Sequence, residues 1–136
     1  DLHKKMFGHV WKWAGAYRTC DKSIGVPWYQ IPTEINKLIG DTRYWITHET
    51  YPIDEIAARF HHRLVSIHPF PNGNGRWARV MADVLLFNLG LEPFTWGSNS
   101  NTGTLNEKSE ARANYIRALQ FADARDYSHL LKFVRS

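Results

Sequence analysis

The sequence predicts a mostly α-helical domain, a helical bundle that carries one small β-hairpin. Three features lead there. Apolar residues recur at three- and four-residue spacing in six segments, Pro and Gly punctuate the ends of those segments, and one stretch near the start, "GAYRTCDKSIGVPWYQIP", is β-prone instead. In the first segment Leu2, Met6, Val10 and Trp13 keep helical spacing until Gly15. The β-prone stretch follows, with residues 17–20 and 26–30 as the two arms of a hairpin around a Gly- and Lys-containing turn. Thr33 then caps a helix carrying Ile35, Leu38, Ile39, Trp45 and Ile46 on one side. "YPIDEIAARFHHRLVSI" opens with Pro52 and the acidic residues Asp54 and Glu55 in its first turn, where the helix dipole favours them. It continues through Ile56, Phe60, Leu64 and Ile67 and ends at His68, before Pro69. "WARVMADVLLFNLG" closes at Gly90, and its length and nearly all-round apolarity predict the buried central helix. After the loop "EPFTWGSNSNTGT" come two more helices, "EKSEARANYIRALQFADA" and "YSHLLKFV".

Bulk properties narrow the function. A length of 136 residues suits one compact unit with a single core, and no linker or repeat divides it. Nothing approaches the ~18 uninterrupted apolar residues of a membrane span, so no membrane partner is expected. A single cysteine, Cys20, excludes an internal disulfide and a Cys-based zinc site, and a reducing cytoplasm is the simplest compartment. The start, "DLHKKMFGHVWKW", has neither an initiator Met nor a signal-peptide layout, so a fragment lacking an N-terminal segment is expected. The net charge of +4 would suit a polyanion, but the basic residues are scattered ("HKK", "RYW", "RWAR") and read as a solvated surface. Nucleic-acid binding stays a lesser alternative, which would show a steep salt dependence. His61 and His62 have no His-Glu-x-x-His or Cys partner and read as structural or surface histidines. Asp83, four residues after Arg79, either orients that arginine or forms a simple surface pair.

The chemistry concentrates in "HPFPNGNGR", residues 68–76. This loop runs from the end of one predicted helix into the start of another. Gly73 and Gly75 permit close approach and unusual backbone angles, so the N–H groups around Gly73, Asn74 and Gly75 can face an anion while the helix dipole adds positive potential. Arg76 and, one turn on, Arg79 share a helix face and can grip the outer oxygens of a polyphosphate. His68, at the other edge, carries an imidazole of near-neutral pKa that can take a proton from a hydroxyl. A base, a cradle and a clamp together point to phosphoryl or nucleotidyl transfer.

At this spacing the residues resemble the signature of the Fic family, His-x-Phe-x-(Asp/Glu)-Gly-Asn-Gly-Arg-x-x-Arg. His68, Phe70, Gly73, Asn74, Gly75, Arg76 and Arg79 match it, and "WAGAYR", residues 13–18, looks like the Gly-x-Tyr-Arg entry to the Fic flap. Within the family, "FHHRLVSIHPFPNGNGR" and "YIRAL" look most like the bacterial subgroup labelled mobile mystery protein B. The resemblance implies a Fic fold over residues 1–136 and a protein adenylyltransferase, which moves AMP from ATP to a hydroxyl of a target protein. By resemblance His68 is the general base, Gly73, Asn74 and Gly75 form the anion hole, Arg76 and Arg79 hold the β- and γ-phosphates, and Phe70 anchors the loop. The hairpin becomes a target-docking flap, with Tyr17, Arg18, Val26 and Trp28 on it, and Tyr115 sits in the core or borders the adenine.

One position departs from the signature. The acid that holds Mg²⁺ (or Mn²⁺) in the family falls on Asn72, a neutral amide where a hard cation prefers carboxylate. A Fic-fold module that binds nucleotide with weak or no catalysis is therefore an alternative, as are transfer of another nucleotide and removal of AMP. The inhibitory (Ser/Thr)-x-x-x-Glu-(Gly/Asn) helix of many members has no counterpart in these residues, which leaves room for an inhibitory segment elsewhere or a regulatory partner.

Overall fold

One helix forms the centre of the bundle. In the computed structural model, which describes residues 1–99, 105 and 109–136, that helix is α3 (Ile53–Ile67). It buries eight of its residues, including Ala57 and Ala58, whose lack of bulk lets neighbours approach closely. Around it pack α2 (Ile31–Thr47), α4 (Asn74–Asn88) and α6 (Ser128–Val134); α1 (Leu2–Phe7) lies against α4, and α5 (Glu110–Asp123) against α6. The predicted central helix, α4, instead leaves Val84 44% and Phe87 74% exposed. Its apolarity covers one flank of α3 and extends past it.

Two cores meet across α3. Phe60, Leu64 and Ile67 join Phe7, Ile31, Leu38, Phe70 and Trp77 on one side. Ala57 and Ala58 join Leu86, Tyr115, Ala118, Leu130 and Phe133 on the other. The loop after α3 leaves from the first core, while α5 reaches it from the second.

Boundaries differ from the sequence reading where a local contact intervenes. α1 stops at Phe7 and not near Gly15, because the chain folds back, stacks Trp11 on Trp13 at 4.8 Å and brings the Gly15 N–H to His3 Nδ1 at 3.0 Å. α2 starts at Ile31, ahead of Thr33, with Pro32 supplying a helical φ in its first turn. α5 starts at Glu110, where the Ser109 hydroxyl caps the Arg112 N–H at 3.0 Å. Part of the predicted loop after Glu92, and the first two positions of the helix predicted from Glu107, fall at 100–104 and 106–108, outside the described residues.

The predicted hairpin is not formed. Residues 17–20 and 26–30 lie in bends, loop and a 3₁₀ turn (Trp28–Gln30), and there is no strand among the described residues. The main chains of the two arms bond to a third segment and not to each other. Arg18 N–H donates to Pro69 O at 2.9 Å and Val26 N–H to Ile67 O at 3.3 Å, so the loop grips the chain on either side of His68.

Candidate functional site

Pro69 cannot extend α3, so the helix ends at His68, which takes a left-handed conformation (φ 52°, ψ 63°). For a residue with a Cβ this costs about 1–2 kcal/mol, and the surroundings hold it there. Phe70 plugs the core beyond: it is buried, stacked on the His3 ring at 3.7 Å and edge-on to Trp77 at 4.9 Å. Asn74 locks the loop over it. Its Oδ1 accepts from Phe70 N–H and its Nδ2 donates to Phe70 O, both at 2.8 Å, and the side chain is buried. Asn74 thus serves the cradle through its side chain as well as its main chain.

The loop rests on α1. Because His3 Nδ1 accepts the Gly15 N–H, its other nitrogen carries the proton and donates to Asn72 O at 2.9 Å. Burial holds the His3 pKa below the ordinary value, which favours this neutral form. Gly73 (φ 76°) lies on Phe7, and a Cβ there would come within 2.8 Å of the ring. Arg76 crosses the same ring 5.0 Å from its centroid. A short polar-looking helix is thereby the platform of the cradle.

The site is a cavity of about 530 Å³. His68 stands at one side; Asn72 and the α4 start, Gly73, Asn74 and Gly75, form another; Arg76 and Arg79 project from the first turns of α4. The first amides of α4 have no acceptor within their own helix, which makes that end anion-attracting. A third arginine, Arg112 of α5, also lines the cavity, as does Leu105. No carboxylate lines the cavity among the described residues.

Charge and burial set the protonation states. His68 is half-buried, and burial, then the charges of Arg18 and Lys22, lower its pKa, which favours the neutral imidazole. Arg79 does not pair with Asp83. Asp83 instead accepts from Phe94 N–H and from Trp96 Nε1, each at 3.1 Å, and Arg79 lies over the Tyr115 ring, 5.5 Å from its centroid. The Tyr115 hydroxyl is held 2.8 Å from His61 Nε2. His61 is fully buried, and burial foremost, with help from the charge of Arg79, takes its pKa to about 3. His62 lies 2.8 Å from Asp123. Both histidines are structural, and no three His, Cys, Asp or Glu residues among those described could share a metal ion.

The residues present do not fit a protein-held Mg²⁺. The one candidate ligand, Asn72 Oδ1, already accepts the Gly73 N–H at 2.9 Å, and no carboxylate stands near it among the described cavity residues.

Of the flap positions, Tyr17 and Trp28 are exposed, 40% and 44%, while Arg18 is buried and Val26 half-buried. Sequence reasoning missed His3, Arg112 and the support of Arg79 by Tyr115 and His61. Only His3 left a signal, a polar side chain among the apolar positions of the first helix. A second cavity, about 580 Å³ between α5 and α6, is floored by Ala118, Phe121 and Phe133; the α6 start, Ser128 and His129, lines it, but no glycine among the described residues does.

Comparison with known proteins gives the same loop a lineage. Residues 1–86 match the model of the Fic/DOC family. The chain belongs to the Fic/DOC family. This Fic domain is 32% identical over 98 residues to a protein of Nematostella vectensis named "Protein adenylyltransferase Fic", covering 68% of this chain and 23% of that protein. It is 28% identical over 138 residues to "Protein adenylyltransferase fic-1" of Caenorhabditis elegans, covering 98% and 25%. The chain thus spans about a quarter of the length of these curated relatives. A solved structure of Fic-1 from C. elegans superposes with TM-score 0.72 at 26% identity, over 98% of this chain and 37% of that one. A Fic-domain signaling protein from Bacteroides thetaiotaomicron shares the fold, with TM-score 0.74 at 20% identity over 96% and 50% of the two chains.

Proposed function

We propose that this Fic domain is a protein adenylyltransferase, transferring AMP from ATP to a hydroxyl of a target protein. The observation that carries the reading is the convergence of a neutral His68, the amide-rich start of α4 and three arginines in one carboxylate-free cavity among the described residues. The named activity of the relatives supports it. His68 removes the proton of a Ser, Thr or Tyr hydroxyl as its oxygen bonds to the α-phosphorus; the bond to the bridging oxygen breaks, and pyrophosphate leaves with that electron pair. Arg76, Arg79 and Arg112 balance its charge, and the α4 amides face the phosphate oxygens. Such transfer depends chiefly on position and fixed charge, which this loop supplies. No step runs through a metal ion.

Tyr17 and Trp28 remain exposed to meet a target, whereas Arg18 and Val26 face the loop behind His68. With no strand edge there among the described residues, docking relies on side chains. A regulatory partner offering a carboxylate to Arg79 belongs to the same proposal, as do a cytoplasmic setting and membership of the mobile mystery protein B subgroup. No described helix is long and apolar enough to cross a membrane. A single domain over residues 1–136 is supported by α6, which closes the second core on α3.

Because the cavity offers cations for outer phosphates, ATP is expected to bind on the order of tenfold or more tighter than AMP, the weight of one charge-assisted contact at about 1.5 kcal/mol or above. Titration calorimetry on the same preparation measures it, with Arg112→Ala narrowing the gap. Equal affinities would contradict the polyphosphate site. A nucleotide-binding module without turnover is favoured by one observation, the amide at Asn72. Asn72→Asp is expected to make ATP affinity Mg²⁺-dependent on the order of tenfold, about 1.5 kcal/mol for one charged contact. The same affinity with magnesium and with EDTA in that variant would remove position 72 from metal binding.

A further inference from the structure

The geometry points to Arg18 as a positioning residue that sets His68, a role resting on the reading of His68 as the base. The Arg18 side chain is 2% exposed, yet no carboxylate partners it among the described residues. All its acceptors are main-chain carbonyls. Nε–H donates to His68 O at 2.7 Å, Nη1 to Cys20 O at 3.0 Å, and Nη2 to Ile67 O at 3.3 Å and to Val26 O.

Ile67 and His68 close α3, where carbonyls have no partner within the helix. A cation there also meets the negative end of the helix dipole. Arg18 is therefore a C-terminal cap supplied from 50 residues away, and of the two α3 carbonyls it holds, that of His68 is the nearer. The planar fork of a guanidinium can serve acceptors on the loop and on α3 together; a lysine ammonium is a point charge without that fork.

Gly25 completes the lock. Its backbone is left-handed (φ 98°), and a Cβ would fall 2.7 Å from His68 Cβ, 2.8 Å from Arg18 Nη2 and 2.9 Å from Ile67 O. The loop thus presses on the stem of His68 while Arg18 holds its carbonyl, and His68 lines the cavity. Neither residue lines that cavity.

Arg18→Lys keeps the charge and removes the fork; Gly25→Ala disturbs the same contact from the other side. Each is checked for folding by circular dichroism, then assayed for AMP transfer from ATP, for ATP affinity by calorimetry, and for the His68 ring signal by NMR. The expected result is a rate on the order of a hundredfold lower per folded molecule, the scale of a small misplacement of a reacting group, with parental ATP affinity and a shifted or broadened His68 signal. A folded Arg18→Lys variant with the parental rate and an unmoved His68 signal would overturn the assignment, as would loss of thermal stability alone. If the parent chain itself transfers no AMP, the adenylyltransferase reading fails separately. The His68 signal then decides: displaced in the variants it supports the lock, unmoved it refutes it.

Discussion

Replacing His68 by alanine is expected to lower the rate of AMP transfer by about 10²–10⁴-fold, the weight of a positioned general base, while ATP binding stays near the parental value. The separation follows from the geometry. His68 follows α3, whereas the groups proposed to bind phosphate belong to α4 and α5. The pH profile of the parent carries the same signature. Burial and the charges of Arg18 and Lys22 depress the His68 pKa, and Arg76, Arg79 and Arg112 share its cavity. A lowered pKa leaves the base neutral at pH values where an ordinary histidine is already protonated. The acid limb of kcat/KM is therefore expected below pH 6.5, and to vanish in His68→Ala. A limb at or above that value would assign the titration to another group.

Asn74→Ala is expected to cost both fold and function. The Asn74 amide satisfies the Phe70 N–H and the Phe70 carbonyl, and its removal strands two buried groups at about 1–3 kcal/mol each. For a domain of this size a loss of that order lowers the thermal midpoint by roughly 10 °C. Phe70 then loosens from His3 and Trp77, and the turn between His68 and α4 loses its shape. Below the lowered midpoint, transfer per folded molecule is expected to fall as well, on the order of a hundredfold. Asn74→Asp retains the acceptor for Phe70 N–H but loses the donor, and it sets a negative charge beside the phosphate site. Its stability is expected to lie between parent and Asn74→Ala, with transfer still depressed. Thermal denaturation and initial rates on the same preparations check both halves.

The cradle was legible in the sequence because its parts are contiguous: a base, two glycines and two arginines within residues 68–79. The helices were legible where periodicity and punctuation agreed, as in α3 with Pro52 before it and Pro69 after. What escaped notice depends on contacts distant in the chain. Arg112 reaches the cavity only because α5 and α6 fold back around the second core, and His3 meets Asn72 across 69 positions. The hairpin misreading has the same origin. Residues 17–20 and 26–30 have strand-like composition, but the Arg18 and Val26 amides bond to Pro69 and Ile67 and not across a hairpin, so local β preference lost to the unpaired end of α3. The centre of the bundle shifted from α4 to α3 because α3 buries residues toward both cores, whereas α4 leaves Val84 and Phe87 exposed.

The most direct measurement is paired labelling, in which the protein and a cell lysate are incubated with ATP carrying ³²P at the α-phosphate or, in parallel, at the γ-phosphate. Counting only label that requires the added protein, transfer of AMP predicts protein-bound label from the α position and none from the γ position. Label from the γ position would make the reaction phosphate transfer, and absence of label from both, with ATP still bound, would leave the cavity a binding site without chemistry.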